Sequence, residues 1–523
     1  MEYLVLANKF LYLALAGLGI SSIATVIQKN SLKPEKLANN DIKGYKELRK
    51  ILGTDGLKIS KNVKLKLEND FEGICLLGPT GEGKTTSLFL NNLLDNSIPG
   101  SLIVTDPKGE LFELTSNYQK NVCGRKVYKI DFSNVDYSER YNLLENCKTT
   151  EEVLQLANML LMNGSLSVEL ASGKKAGGVE WIQMSEPLLS AALLYVKELK
   201  KPYNTIEFAL QLLLSLNNKQ LKCVFEASKN LDVITQFNIF QQVGGADRTE
   251  GSIKITLASN MKLFTDRTIN KLSSETTFDI NRFRKEPSIL YIIYPERKSS
   301  YLAPFIAPLF SQIIDKLLDN YSKESLPVHL MFDEFGNIGM LNNMSINAAT
   351  VRSRKISLVV CLQSITQLYQ IYGRDNAKSI LNNLKAKILL PSMSDIETIN
   401  YISNLCGNIE INTKTMSESK GTQSYSYSKA KRKMFEEGEL RTLEDRTALI
   451  INSNKMPVKD ELELYFETKL INNVREPIEY PKFAPLNFDI RGELKKIKSI
   501  TNQKEEEIND NRAYAITRRI FEK

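Results

Sequence analysis

Gly78, Gly83, Lys84 and Thr85 fill the fixed positions of the pattern G-x-x-x-x-G-K-[ST] within Leu76–Thr86. That spacing serves phosphate chemistry. Gly81 and Gly83 carry no Cβ, so the backbone can turn tightly and aim successive N–H groups at phosphate oxygens. Lys84 offers a point charge to the β- and γ-phosphates of ATP, and the Thr85 hydroxyl suits a bridging Mg²⁺. The expected ATP-binding loop is Gly78, Pro79, Thr80, Gly81, Glu82, Gly83, Lys84, Thr85 and Thr86. A second set of candidates follows the apolar run Val328–Phe332, which closes on Asp333 and Glu334. Asp333 is placed for the Mg²⁺ shell, and Glu334 to orient and deprotonate an attacking water. Gln363, at the end of the run Ser357–Leu362, is placed to sense the γ-phosphate. A helix-capping Gln363-Ser364 pair is the lesser alternative.

These groups need a sheet to hold them. Ile74–Leu77 suits a buried strand and Thr85–Leu94 an amphipathic helix, so strand, loop and helix stand in the required order. Further buried strands are expected at Ser101–Thr105, Lys126–Ile130, Ser288–Tyr294, Lys387–Leu390 and Thr447–Ile451, with a long helix near Ala303–Leu318. Ser101–Thr105 runs into Asp106-Pro107-Lys108-Gly109-Glu110-Leu111, at the strand end where α/β sheets bind ligands. A plain capped turn would use the same residues. From Thr149, whose spacing to Glu152 fits a capping box, helical patterns run to about Phe264 with few strand signals. Trp181, Leu188, Ala192, Tyr195 and Leu199 form one core-facing stripe there, and Gly244–Arg248 reads as a loop between helices. Thr413–Lys433, rich in Ser, Tyr and Lys, reads as a mobile loop suited to DNA contact or as an ordinary exposed one.

The chain has 523 residues and a net charge of +8, with 42% hydrophobic and 25% charged residues. It is long enough for two or three folded units, and its charge favours anionic partners without naming one. One histidine, His329, excludes His-cluster metal sites and makes His-based nucleophilic catalysis improbable, so chemistry must rest on carboxylates, Lys, Arg, Gln and a metal. His329 itself reads as a core residue. Six scattered cysteines with no C-x-x-C pair read as reduced thiols. Phe10–Ile27 is 18 uncharged residues, roughly 27 Å of helix, enough to cross a bilayer core. Lys29, Lys33, Lys36, Lys43, Lys46, Arg49 and Lys50 follow it, which places the bulk of the chain in the cytoplasm behind a single span.

GPTGEGKTT at Gly78–Thr86, DPKGEL at Asp106–Leu111, DEFGNIG at Asp333–Gly339 and LQSITQLYQIYG at Leu362–Gly373 together resemble the coupling proteins of type IV secretion and conjugation. The resemblance covers about residues 60 to 480. It implies an α/β, RecA-like P-loop NTPase domain with a mainly parallel sheet, an all-helical insertion and an N-terminal transmembrane helix. The expected divisions are 1–29 (span), 30–57 (linker), 58–148 and 265–486 (nucleotide domain), 149–264 (insertion) and 487–523 (charged tail). Implied too are a homo-hexamer, ATP and Mg²⁺ as ligands, and single-stranded DNA, a relaxase and channel subunits as partners. Residue by residue, Lys84 and Thr85 match the phosphate-loop lysine and metal ligand, Asp333 and Glu334 the metal-site acid and base, and Gln363 the sensor. Arg352 resembles the arginine finger, with Arg354 as the rival. Two alternatives stand beside a DNA translocase: a coupling ATPase for protein effectors, and a non-hydrolysing recruitment platform.

Overall fold

A computed structural model describes residues 49–173, 178–244, 247–419, 422–484 and 489–503. The expected span Phe10–Ile27 and the end of the tail lie outside the described residues. Short apolar runs become strands because both sheet faces are covered: in β1 (Ile74–Leu77), Cys75 and Leu77 join one core while Ile74 and Leu76 join the other. Continuous apolar sequence is what such two-sided burial requires. The other strands are β2 (Ser101–Asp106), β3 (Lys126–Asp131), β4 (Ser288–Ile293), β5 (Val328–Phe332), β6 (Ile356–Leu362), β7 (Ala386–Leu389), β8 (Asn408–Ser419), β9 (Thr422–Lys433), β10 (Thr447–Asn452) and β11 (Val458–Glu461).

Nine of them form one sheet in the order β11-β10-β7-β1-β6-β5-β2-β4-β3. From β7 to β3 every pair is parallel, and β10 runs antiparallel to both β7 and β11. Parallel pairing brings the carboxyl ends of β1, β6, β5, β2 and β4 to one edge. Strand β6 lies between β1 and β5, so the phosphate loop and the acids after Phe332 flank the segment bearing Gln363.

One face of the sheet carries a thick helical layer. It includes the helices Thr150–Ser172, Val179–Lys197, Ile206–Ser215, Asn218–Glu226, Leu231–Gly244 and Asp247–Asn260. Thr149 caps the first of these by accepting the Glu152 N–H at 3.2 Å, while the Glu152 carboxylate takes the N–H of Lys148, one residue earlier than a capping box requires. Leu188 and Ala192 are fully buried, with Trp181, Tyr195 and Leu199 packed at the margin of the same core. Residues 247–248 lie in the helix Asp247–Asn260, so the expected loop is no longer than its middle, 245–246, which is outside the described residues.

Ser299–Asp319, wider than the expected helix, packs on the same sheet face through Phe305, Ile306, Leu309 and Phe310. Among the described residues, Glu296–Asp319 is the one helix long and apolar enough to cross a membrane, yet 72% of its apolar window is buried in the fold, as befits a core helix. The segment expected as a loop at Thr413–Lys433 instead belongs to the antiparallel hairpin of β8 and β9, paired from Asn408 with Lys433 to Ser419 with Thr422. Its Thr and Tyr residues favour extended backbone, and the polar residues between them hid that preference. His329 is wholly buried in β5, its Nε2 at 3.3 Å from Asp70 Oδ2.

Candidate active site

The phosphate loop leaves β1 with the Gly78 N–H bonded to the Leu362 carbonyl of β6 at 3.0 Å. Gly81 and Gly83 have φ of 95° and 81°, a region in which a side chain would be strained. The helix that follows opens as a wide π turn, Thr85–Phe89, and tightens to α over Leu90–Leu93. This start points Thr85 toward the end of β5. Its hydroxyl lies 3.0 Å from Asp333 Oδ2 and 3.3 Å from Oδ1.

Lys84 is 6% exposed and donates to the Gly78 carbonyl at 2.8 Å and the Pro79 carbonyl at 3.3 Å. Its ammonium is also 3.4 Å from Glu334 Oε1. Gln363 donates its side-chain amide to the same Glu334 oxygen at 3.3 Å, and its own backbone N–H is held by Gln367 at 3.0 Å. The other Glu334 oxygen is buried with no partner among the described residues. A cross-strand bond from the Asp333 N–H to the Thr105 hydroxyl, 2.8 Å, fixes the end of β5 against β2. Burial pushes the Asp333 carboxyl up to about 7; the Thr85 hydroxyl and Lys84 oppose that rise, and the Glu334 charge adds to it. Such a carboxyl ionises more readily once a cation stands beside it.

These groups border a cavity of about 210 Å³, lined by the loop, by Asp333 and Glu334, and by Lys108, Glu110 and Glu296. Of these three, only Glu296 was not singled out from the sequence. Lys108 and Glu110 follow β2 in the strand-end segment that draws attention by position, and Glu296 follows β4 in the same way. Its signal is the switch from the apolar run 288–293 to polar residues, the same rule applied one strand further on. Donor set and cavity fit the phosphates of a nucleotide with Mg²⁺: turned backbone, the Lys84 and Lys108 ammoniums, the threonine hydroxyls of the loop and four carboxylates, of which Glu334 keeps an unpartnered oxygen.

Arg352 is not in this constellation. It precedes β6, at the opposite end of that strand from Gln363, about 20 Å away at roughly 3.3 Å per residue. There its side chain is 62% exposed and pairs with Glu72 at 2.9 Å. Arg354 stands over the Tyr321 ring at 5.4 Å.

A family profile described as type IV secretory system conjugative DNA transfer matches residues 25–505. Protein VirD4 of Rhizobium radiobacter is 24% identical over 425 residues, covering 79% of this chain and 60% of that protein. Conjugal transfer protein TraG of Escherichia coli is 26% identical over 374 residues, covering 66% and 56%. The chain thus spans roughly three fifths of the length of these curated relatives. Among solved structures, the unbound bacterial conjugative coupling protein TrwBdeltaN70 superposes with a TM-score of 0.61 at 16% identity, covering 80% of this chain and 91% of that one. TrwB in complex with ADP and Mg²⁺ gives 0.58 at 14% identity, covering 84% and 94%. These likenesses establish a shared α/β fold with a mainly parallel sheet and helical regions. With the profile spanning nearly the whole sequence, the chain belongs to the type IV secretory system conjugative DNA transfer family.

Proposed function

We propose that the chain is a membrane-anchored ATPase of RecA-like fold that drives single-stranded DNA, with its bound relaxase, toward a type IV secretion channel. The observation that carries the reading is the convergence of Lys84, Thr85, Asp333 and Glu334 on one small cavity, with Gln363 hydrogen-bonded to Glu334 beside it. Gly78–Thr86 would cradle the triphosphate, with Lys84 on its terminal phosphates. Thr85 and Asp333 would hold Mg²⁺, which supplies charge neutralisation on the phosphates when bound. Glu334 would accept the proton of the attacking water, and its bonds to Lys84 and Gln363 set its direction. A scaffold that only recruits substrates has no need of this buried, hydrogen-bonded base.

The same reading assigns the helices between 149 and 264 to an insertion, 58–148 and 265–486 to the nucleotide domain, and 487–523 to a charged tail. Phe10–Ile27 is the single anchor and the bulk of the chain is cytoplasmic. Subunits assemble as a homo-hexamer in which Arg352 acts on the neighbour's nucleotide. Its exposure and its distance from its own phosphate loop support action across an interface. ATP turnover by the full-length protein in detergent, with and without single-stranded DNA, tests the proposal. Stimulation by DNA is expected. Turnover that responds only to protein cargo would favour effector secretion, and no turnover would favour a platform.

A further inference from the structure

The helical run 490–503 leaves a cleft of about 960 Å³ against the helical layer, and none of its lining residues belongs to the phosphate-loop cavity. Its inner side is anchored: Leu494 is 8% exposed, Ile490 and Ile497 pack against the main core, and Asn502 accepts the Gln220 side-chain amide at 2.7 Å. Arg491, Lys495 and Lys498 line the cleft from this run, and Arg267 and Lys271 line the facing wall. Lys271 is engaged by Asp136, but the other four make no ion pair among the described residues. Two carboxylates share the cleft. Asp489 accepts the Gly492 N–H at 2.9 Å as the cap of the run. Burial pushes the Glu207 carboxyl up, against an Asn270 hydrogen bond and the Arg267 charge.

We propose that this cleft binds the phosphodiester backbone of single-stranded DNA, as a docking site separate from the nucleotide pocket. The inference rests on the DNA-transport reading above. Arg491, Lys495 and Lys498 recur at i, i+4 and i+7, a charged line about 10 Å long at 1.5 Å per residue. A line of cations on one helix face is the electrostatic footprint of a phosphate chain. The cleft holds no aromatic side chain, so it has no platform for stacking bases and would be indifferent to sequence. An acidic peptide is the competing occupant, and it is an outcome of the test.

The probe is a fluorescent oligothymidylate titrated with full-length protein in detergent over a series of salt concentrations. Each single-strand phosphate neutralised contributes about 0.7 to the slope of log affinity against log salt. The triple variant Arg491→Gln, Lys495→Gln, Lys498→Gln should therefore lose about 2 in slope and about a hundredfold in affinity at 0.1 M salt. Arg267→Gln, on the other wall, should lose about 0.7 by itself and supplies a second line if the triple variant misfolds. Lys496→Gln, which removes a cation paired with Glu493 outside the cleft, should leave the slope alone. Parent protein that binds DNA with a slope unchanged by the cleft variants overturns the site while the transport reading stands. So does an acidic peptide binding there without displacing DNA. No salt-sensitive DNA binding by the parent overturns both.

Discussion

Glu334 and Asp106 are both buried carboxyls at the carboxyl edge of the sheet, but their surroundings give them different work. Glu334 shares one oxygen between Lys84 and Gln363, and Glu334→Gln keeps an oxygen for both while removing the base. That variant should bind ATP as the parent does and lose about 10²- to 10⁴-fold in turnover. Lys84→Ala should lose binding and turnover together. Nucleotide binding by equilibrium filtration and phosphate release on the same preparations check both, and parental turnover by Glu334→Gln would refute the base assignment. Asp106 accepts the Phe112 N–H at 2.9 Å and is 1% exposed. Burial pushes it up from 3.8 to about 6, and the N–H groups of Phe112, Leu111, Gly109 and Lys108 offset this only in part. Because the folded-state value is raised, the protonated form favours folding. That contribution is complete below about pH 4 and is lost as pH rises through about 6. Asp106→Asn keeps an acceptor without the charge. Its stability relative to the parent should be nearly level at about pH 4 and rise toward an advantage of about 3 kcal/mol above pH 7. Denaturation midpoints at the two pH values decide, and a pH-independent difference would refute it.

At the scale of elements, close approach sets what each position tolerates. Gly164 sits in the helix Thr150–Ser172 where an added Cβ would lie 2.1 Å from the Asn260 carbonyl, at the end of the helix Asp247–Asn260. Gly164→Ala should separate the two helices and cost about 1–3 kcal/mol. Gly251, on the second helix, has nothing within 4 Å of its added Cβ, so Gly251→Ala should be neutral or stabilise by up to about 1 kcal/mol. Opposite shifts in denaturation midpoint are expected; shifts of the same sign would argue against that contact. The phosphate loop and the apolar strands were legible in sequence because each is a local pattern with a local cause. Strand order was not. The neighbours of β1 come from residues near 359 and 386, and no local signal chooses them. The same long-range pairing brings Glu296 to the cavity and Glu72 to Arg352; the polar switch after β4 marks Glu296 in sequence, but nothing local marks the Glu72 contact. The β8–β9 hairpin escaped notice for another reason: its strands pair only with each other, outside the main sheet, and their sequence is mostly polar beyond Ile411.

For the molecule as a whole, the position of Arg352 bears on how subunits cooperate. It lies at the amino end of β6, while its own Lys84 follows the carboxyl end of β1, and these two strands are parallel neighbours. A guanidinium so placed lies away from the phosphate loop of its own subunit, and in the proposed ring it would serve the nucleotide next door. Its pair with Glu72 is no obstacle, because an ion pair with one partner 62% exposed contributes little. An arginine that stabilises charge on a transferring phosphoryl group is worth about 10³ to 10⁵ in rate, so Arg352→Ala should bind ATP normally and turn it over very slowly. Arg354→Ala, which removes a contact with Tyr321, should be milder. Mixing Arg352→Ala with Lys84→Ala protein then separates action between subunits from action within one. In a mixed ring, some interfaces join an intact Lys84 to an intact Arg352 of the adjacent subunit, so two inactive proteins should regain part of the parental turnover. Co-assembly verified by cross-linking, with no recovery at any mixing ratio, would show that Arg352 serves only its bond to Glu72.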